Sequence, residues 1–313
     1  SALTASLARD TPDAFNMFAG PGANAEAVLD EIRTTSYIGG DSSLSLVDAK
    51  LSGPLWKLPN GNLNFAAGAE YRDEELSSDH SANYLVDDLI NVAAQDSFNA
   101  SRSIGSLFLE FQVPLSKSDG RLWFSGTELQ IAARMEHFND FGTTTKPRIG
   151  IATTLLPSLF LRASVGEGFR APTLTQLYGS EGRSMAARVD PFRPQDGNVR
   201  RLMRQPAVPT LQAENTKSQI VGLVFEPKFI PGLSFGVDWW SYQITDQIAV
   251  IGRDAQLAIE AANGPYSNPN VVRIAATPEE PIGPIVAIIE PWRHFARVET
   301  DGYEFSVSYA LGG

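Results

Sequence analysis

Apolar and polar residues alternate along many segments of this 313-residue chain. The clearest case lies at the C-terminal end, where apolar side chains occupy every second position from Tyr303 to Leu311. A period of two places successive side chains on opposite faces of a β-strand. The pattern predicts about nine strands, at residues 44–56, 62–75, 103–115, 121–138, 143–156, 159–170, 215–227, 232–251 and 284–311, the last interrupted near Pro291.

The connections between these strands alternate between short and long. Short joints are rich in the turn residues Pro, Gly, Asn, Asp and Ser, as at Leu58–Gly61 and Pro227–Gly232. Longer, irregular links lie at residues 76–102, 171–214 and 252–283. An antiparallel up-and-down meander has this arrangement when its two ends face different compartments.

Two segments outside the strands have helical patterns. Arg253–Asn263 lies in the third long link, and Gly264 and Pro265 form its stop signal. Pro21–Arg33 lies in the irregular opening stretch. We therefore predict a loop region with a short helix over residues 1–43 and a strand domain over residues 44–313.

The alternation alone fits a soluble β-sandwich as well as a membrane barrel, because both have one apolar face. Here the polar face is rich in Gly, Ser and Ala with interspersed Glu, Arg and Asp, which suits the interior of a barrel. Aromatic residues near the strand ends fit the girdles at membrane–water interfaces. Strands of about ten residues match a tilted bilayer crossing, whereas soluble strands have about five or six. We predict an all-β, antiparallel, up-and-down transmembrane β-barrel.

The predicted barrel is incomplete. Bacterial single-chain barrels normally close with an even number of strands, and free strand edges are unsatisfied in lipid. The opening residues Ser1–Asp10 contain neither Met nor a signal peptide. We therefore expect an arc of about nine strands from a larger barrel, in a chain that is a piece of a longer protein.

Composition excludes several classes of function. Lys and Arg number 25 against 36 Asp and Glu, a net charge of −11, which disfavours nucleic-acid binding. The absence of Cys excludes disulfides, thiol nucleophiles and Cys-ligated metals, and fits an oxidising cell envelope. No apolar run approaches the roughly 20 residues of a helical membrane span.

Five segments of the chain carry a resemblance to a known family. They are Gly168–Tyr178 (GFRAPTLTQLY), His137–Gly150 (HFNDFGTTTKPRIG), Leu211–Ser218 (LQAENTKS), Asp238–Ile248 (DWWSYQITDQI) and Thr300–Glu304 (TDGYE). Each resembles a segment of the TonB-dependent outer-membrane receptors, and the five occur in the family's order. The resemblance covers residues 44–313, and residues 1–43 look like an extracellular loop of the same family.

The resemblance implies a barrel of about 22 strands, closed by an N-terminal plug, in the bacterial outer membrane. Such receptors import siderophores, cobalamin or oligosaccharides with energy relayed by TonB. It also implies that residues 170–214 and 252–283 are long extracellular loops, that lipid and lipopolysaccharide surround the barrel, and that TonB binds through the plug. The sequence contains no plug-like segment or TonB box, so we expect no gated transport by this segment alone.

Two other functions remain open at this point. A passive porin-like or structural outer-membrane barrel would share the alternation and would lack a plug. A soluble, β-rich carbohydrate-active enzyme would need a second layer over the apolar faces. We find no signal for catalytic residues, a cofactor or a metal site, because the three His are far apart and no nucleophile motif has the required context.

The loop after Pro172 is the best candidate for ligand binding. It has a local excess of positive charge within an acidic chain. Its arginines could attract an anionic ligand such as a ferric siderophore or an acidic sugar. They could equally bind lipopolysaccharide phosphates or neighbouring loops. The candidates are Arg183, Arg188, Arg193, Arg200, Arg201 and Arg204.

Overall fold

Two β-sheets account for most of the fold. The computed structural model describes residues 2–11, 13–18, 20–86, 89, 92–117 and 124–311. Its strands are β1 Ile38–Leu58, β2 Gly61–His80, β3 Phe98–Pro114, β4 Ser125–Phe138, β5 Gly142–Leu156, β6 Leu159–Arg170, β7 Gly182–Val189, β8 Asn198–Gln205, β9 Glu214–Phe225, β10 Leu233–Val250, β11 Val271–Arg273, β12 Ile285–Ile289 and β13 Trp292–Tyr309.

Short helices lie between and before the strands. They are α1 Ala2–Leu7, α2 Glu26–Ile32, α3 Ala82–Leu85, α4 Leu174–Tyr178 and α5 Arg253–Asn263, with a 3₁₀ turn at Pro194–Asp196. In the part of the chain that the structure describes, none of the helices is long and apolar enough to cross a membrane. The predicted helix Arg253–Asn263 is confirmed as α5, and α2 lies within the predicted segment Pro21–Arg33.

The large sheet contains nine strands in the order β1-β2-β3-β4-β5-β6-β9-β10-β13. Every neighbouring pair is antiparallel. The sheet does not close on itself, and β1 and β13 form its two edges. The prediction of an open antiparallel meander of about nine strands is therefore confirmed.

Tight turns join the strands at one end of the large sheet. β5 and β6 are separated by Pro157 and Ser158 alone. Between β9 and β10 the chain turns at Gly232, which has a φ of 87°. A Cβ at Gly232 would lie 2.5 Å from the carbonyl oxygen of Ala310, so a side chain at this position would clash with the neighbouring strand.

Several strand boundaries differ from the predicted ones. β1 and β2 pair from Leu58 and Gly61 as far as Ile38 and His80, well beyond the apolar segment, because backbone hydrogen bonds continue where the side-chain pattern gives no signal. Residues 118–123, which include the predicted start of the fourth strand, lie outside the described residues. The predicted strand at 284–311 is two strands, β12 and β13, which belong to different sheets.

The small sheet has the order β11-β12-β8-β7. Its strands come from two long links, which we call the first link (residues 171–213) and the second link (residues 251–291). Their apolar core consists of Met203, Leu257, Val271, Ile285 and Ile288. We call β7, β8, β11, β12 and α5 the cap. The sequence pattern predicted irregular links here. It foresaw α5, and β12 lies within the predicted strand at 284–311, but β7, β8 and β11 were missed because they are short and lack a regular alternation.

Candidate functional site

The apolar face of the large sheet is exposed. Phe305 is 78% exposed, Val307 68% and Ile149 47%, and similar values recur on other strands. These exposures mean that no layer of the described chain covers this face. Exposed apolar surfaces of this extent are unstable in water and mark contact with a membrane or another protein. The second protein layer that a soluble enzyme would need is absent from the described residues.

Charged side chains form a continuous network on the opposite face. Arg134 lies between Glu136 at 2.5 Å and Glu70 at 3.3 Å. Arg72 contacts the same two carboxylates, at 3.0 Å from Glu70 and 3.5 Å from Glu136. Each charge has a partner of opposite sign, which offsets the cost of removing it from bulk water.

The polar face encloses a cavity of about 720 Å³. Seven strands, from β3 to β13, contribute side chains to it, so the sheet curves with its polar face inside. Arg162 and Asp238 form a bidentate ion pair at its wall, with N···O distances of 2.8 and 2.7 Å. Arg148 and Glu304 also line the cavity. The arrangement has the polar interior and apolar exterior of a membrane barrel.

The segment after β6 folds across one end of this interior. Thr173 caps α4 through a capping box, in which its hydroxyl accepts a hydrogen bond from the Gln176 N–H. Leu177 packs against Leu211 and Ile248. Arg102, from β3, donates a hydrogen bond of 2.7 Å to the carbonyl of Pro172. Residues 171–178, which we call the strap, are therefore held by these contacts where the chain passes from the barrel wall to the cap.

A fully buried ionic triad lies in the cap. Arg273 contacts Asp190 at 2.6 Å and Glu260 at 2.8 Å, and all three side chains are 0% exposed. Backbone N–H groups of Phe192 and Tyr266 donate further hydrogen bonds to the two carboxylates. Burial raises the pKa of Asp190, but the hydrogen bonds from Arg273 and from the Phe192 N–H, together with the charge of Arg273, outweigh it and leave that pKa below its ordinary value.

Strand register separates the predicted arginines into groups. Arg183 lies directly opposite Arg204, and Arg200 lies four residues before Arg204 in β8, an even spacing that places both on one face. These three therefore share one face of the small sheet, which we call the arginine face. Arg201 points to the other face with Met203, where it is buried. The arginines of β7 and β8 are thus divided between the two faces of one hairpin.

The arginines contact carboxylates and carbonyls of the cap. Arg183 and Arg204 each contact Glu181 at 2.8 Å. Burial raises the pKa of Glu181. The hydrogen bonds and charges of Arg204 and Arg183 together lower it by more, so the net pKa is below its ordinary value. Two guanidinium groups sharing one carboxylate leave an excess of positive charge on the arginine face.

Of the other three candidates, Arg188 and Arg193 join the two links, whereas Arg201 bonds within the first link. Arg188 contacts Asp254 at 2.7 Å, and Arg193 contacts Asp196 at 2.7 Å and the carbonyl of Ile282 at the same distance. Arg201 donates to the carbonyl of Val199 at 3.0 Å. Their contacts match the alternative in which the arginines bind neighbouring loops. A role in ligand binding stays a prediction for all six.

The bare apolar exterior, the polar interior and the antiparallel order define a segment of a transmembrane β-barrel wall. A match to the family described as "TonB dependent receptor-like, beta-barrel" covers residues 3–312. The chain belongs to this family, whose members are receptors of the bacterial outer membrane rather than enzymes. No match was found among curated proteins.

Solved structures of related fold support this assignment. A ferric enterobactin receptor mutant from Pseudomonas aeruginosa is 18% identical with a TM-score of 0.60, over 86% of this chain and 33% of that one. The siderophore receptor PirA from Acinetobacter baumannii is 14% identical with a TM-score of 0.56, over 87% and 35%. A Serratia marcescens hemophore receptor HasR, in complex with its hemophore and heme, is 14% identical with a TM-score of 0.53, over 88% and 40%. The chain therefore spans between a third and two fifths of these receptors.

Sequence reasoning missed the residue that organises the cap. Arg273 lies in a three-residue strand, and its two carboxylate partners are 83 and 13 positions away. No local spacing or motif connects them. The positive excess after Pro172 drew attention to the first link alone, whereas the cap depends equally on the second.

Proposed function

We propose that this chain forms part of the barrel wall of an outer-membrane receptor that takes up a scarce ligand with energy relayed by TonB. One observation carries the proposal: the family match runs through both the large sheet and the cap, over residues 3–312. The exposed apolar face supports contact with outer-membrane lipid and lipopolysaccharide. The family match also favours a receptor over the passive porin.

We place the cap at the extracellular end of the barrel, together with residues 1–43. Short turns join the strands at one end of the large sheet, and the two long links lie at the other. Outer-membrane barrels have short periplasmic turns and longer extracellular loops. In this orientation, residues 170–214 and 252–283 meet a ligand before it reaches the barrel interior.

We further propose that the arginine face attracts an anionic small molecule or oligosaccharide. Arg183 and Arg204 are 34% and 39% exposed and share the single carboxylate of Glu181. Charge-assisted hydrogen bonds from guanidinium groups are strong and suit carboxylate or catecholate oxygens. The solved neighbours include receptors for ferric enterobactin and for heme carried by a hemophore, which are compatible cargoes.

Growth on defined sources of iron or carbon tests uptake. A strain lacking the gene would be complemented with the natural-length protein and grown on ferric enterobactin, heme or an acidic oligosaccharide, with and without TonB. We expect growth on one of these sources to require both the gene and TonB. Growth that requires the gene but continues without TonB would identify a passive channel instead.

Substitution of an arginine tests the ligand site. Arg204→Gln removes a charge from the arginine face, and we expect the affinity for the transported ligand to fall about tenfold or more, since a hydrogen bond to a charged group contributes about 1.5–3 kcal/mol. Arg297→Gln removes an exposed arginine outside the cap, which is not among the six candidates, and is the control. Equal affinities of the two variants would remove the arginine face from the proposal.

A further inference from the structure

The cap is assembled from two links that are distant in sequence. β8 of the first link pairs in parallel with β12 of the second, with Leu202 opposite Ala287 and Met203 opposite Ile288. Among the residues that the structure describes, β7 pairs only with β8, and β11 only with β12. Each link therefore contributes one hairpin-like half, and the ladder between β8 and β12 is the seam that joins them.

The apolar core of the cap contains one residue of the first link and four of the second. Met203, 1% exposed, comes from the first link and packs with Leu257, Val271 and Ile288 of the second. Ala186 of the first link packs against the same cluster from its edge. Separating the links would expose both sides of this core to water.

Ionic contacts cross the same seam. Arg273 of the second link bonds to Asp190 of the first link and to Glu260 of its own link, with no exposure of any of the three side chains. Arg193 of the first link donates a hydrogen bond of 2.7 Å to the carbonyl of Ile282 in the second. Separation of the links would leave Asp190 without its main partner. An unpaired buried charge is strongly unfavourable, so the triad opposes partial opening.

We propose that the two links open and close as one body, and that Arg273 is the residue that joins them. Any movement that admits a ligand then displaces the whole cap about its connections to the barrel wall. Arg273 acts as a positioning residue, because it holds Asp190 at the end of β7, and with that hairpin the arginine face, while its own side chain is fully buried. The proposal does not require uptake to be energised by TonB or the ligand to be anionic.

Hydrogen exchange of the natural-length protein in detergent or nanodiscs tests this coupling without any ligand. Arg273→Met should accelerate exchange about 100-fold or more in β7 and β8, as well as in β11 and β12, because removing one partner of a buried ion pair destabilises the whole unit. Arg297→Met, which removes an exposed ion pair with Glu299 outside the cap, is the control and should change neither link. Acceleration limited to the second link would overturn the proposal.

A cross-link tests the same coupling if Arg273→Met is not recovered in the membrane. These 313 residues contain no Cys, so a Leu202→Cys/Ala287→Cys pair introduces a single disulfide into them. Closing this bond should slow exchange by a common factor across the cap, including β7 and β11, which lie on either side of the seam. Reduction should reverse the effect. Slowing confined to β8 and β12 would show that the links open separately.

Discussion

The large sheet and the cap bury opposite kinds of surface. In the sheet, apolar side chains point outward and stay exposed, as for Phe305 at 78%, while charged side chains line the interior. In the cap, Ile288 is 0% exposed within an apolar core, and most charged groups lie around it. The sheet is thus built for a surrounding apolar solvent, and the cap is built for water. The two regions of one chain should therefore respond differently to the same type of substitution.

Shortening a buried side chain of the cap should have the largest effect, and the loss of stability should be confined to the cap. Ile288→Ala leaves a cavity in the core and should destabilise the cap by about 2–5 kcal/mol. Val286→Ala, on the same strand at 46% exposure, should cost less than about 0.5 kcal/mol. Hydrogen exchange resolved by segment provides the measurement. Equal loss of protection in β1–β6 would contradict the separation of the two regions.

A charge on the outer face of the sheet should be nearly as costly. Ile131 lies near the middle of β4 at 42% exposure, and Ile131→Arg should destabilise the barrel by about 2–4 kcal/mol by placing a cation in lipid. Gln130→Arg places the same charge on the inner face, where Gln130 donates a hydrogen bond to Glu110 and lies opposite Gly150, and should be tolerated. Urea unfolding of the natural-length protein in lipid vesicles would compare them. Similar costs at both positions would mean that the apolar face does not contact lipid.

The large sheet could be predicted from sequence because its information is local. Each strand carries its own period of two, and β1 to β6 pair with their neighbours in the chain. The break near Pro291 was also foreseen, since proline lacks the N–H that a ladder hydrogen bond needs, although β5 does continue through Pro147. What the pattern could not show is that β12 before this break belongs to another sheet.

The cap could not be predicted because its information is distributed. β11 has three residues, too few for any period, and its neighbour β12 pairs with a strand more than 80 positions away. The arginine cluster was visible as composition, but its division between two faces depends on the register of β7 and β8. Arg183 and Arg204 become neighbours only through that pairing.

A smaller effect is expected where the two regions join. Thr173→Ala removes the hydroxyl that caps α4 and should destabilise the strap by about 1 kcal/mol. Thr175→Ala is the control, because Thr175 lies two residues further on, is exposed and takes no part in the capping box. Exchange of the α4 amides would report the change. No difference between the variants would mean that the strap is held by Leu177 and its contacts alone.

The smallest effect is expected from pH, and its sign follows from the buried carboxylates. The pKa of Asp190 is lowered from an ordinary value of 3.8, and that of Glu181 from 4.5. A group with a lowered folded-state pKa stabilises the fold fully above its unfolded-state pKa, and this contribution is lost as pH falls through the folded-state value. The cap strands and α5 contain no His.

Exchange protection of the cap, corrected for the intrinsic pH dependence of exchange, should therefore stay constant from pH 8 to pH 5 and fall only below the ordinary range of these carboxylates. A loss of cap protection between pH 6.5 and pH 5 would show that a group of higher pKa controls the seam, and would direct attention away from Asp190.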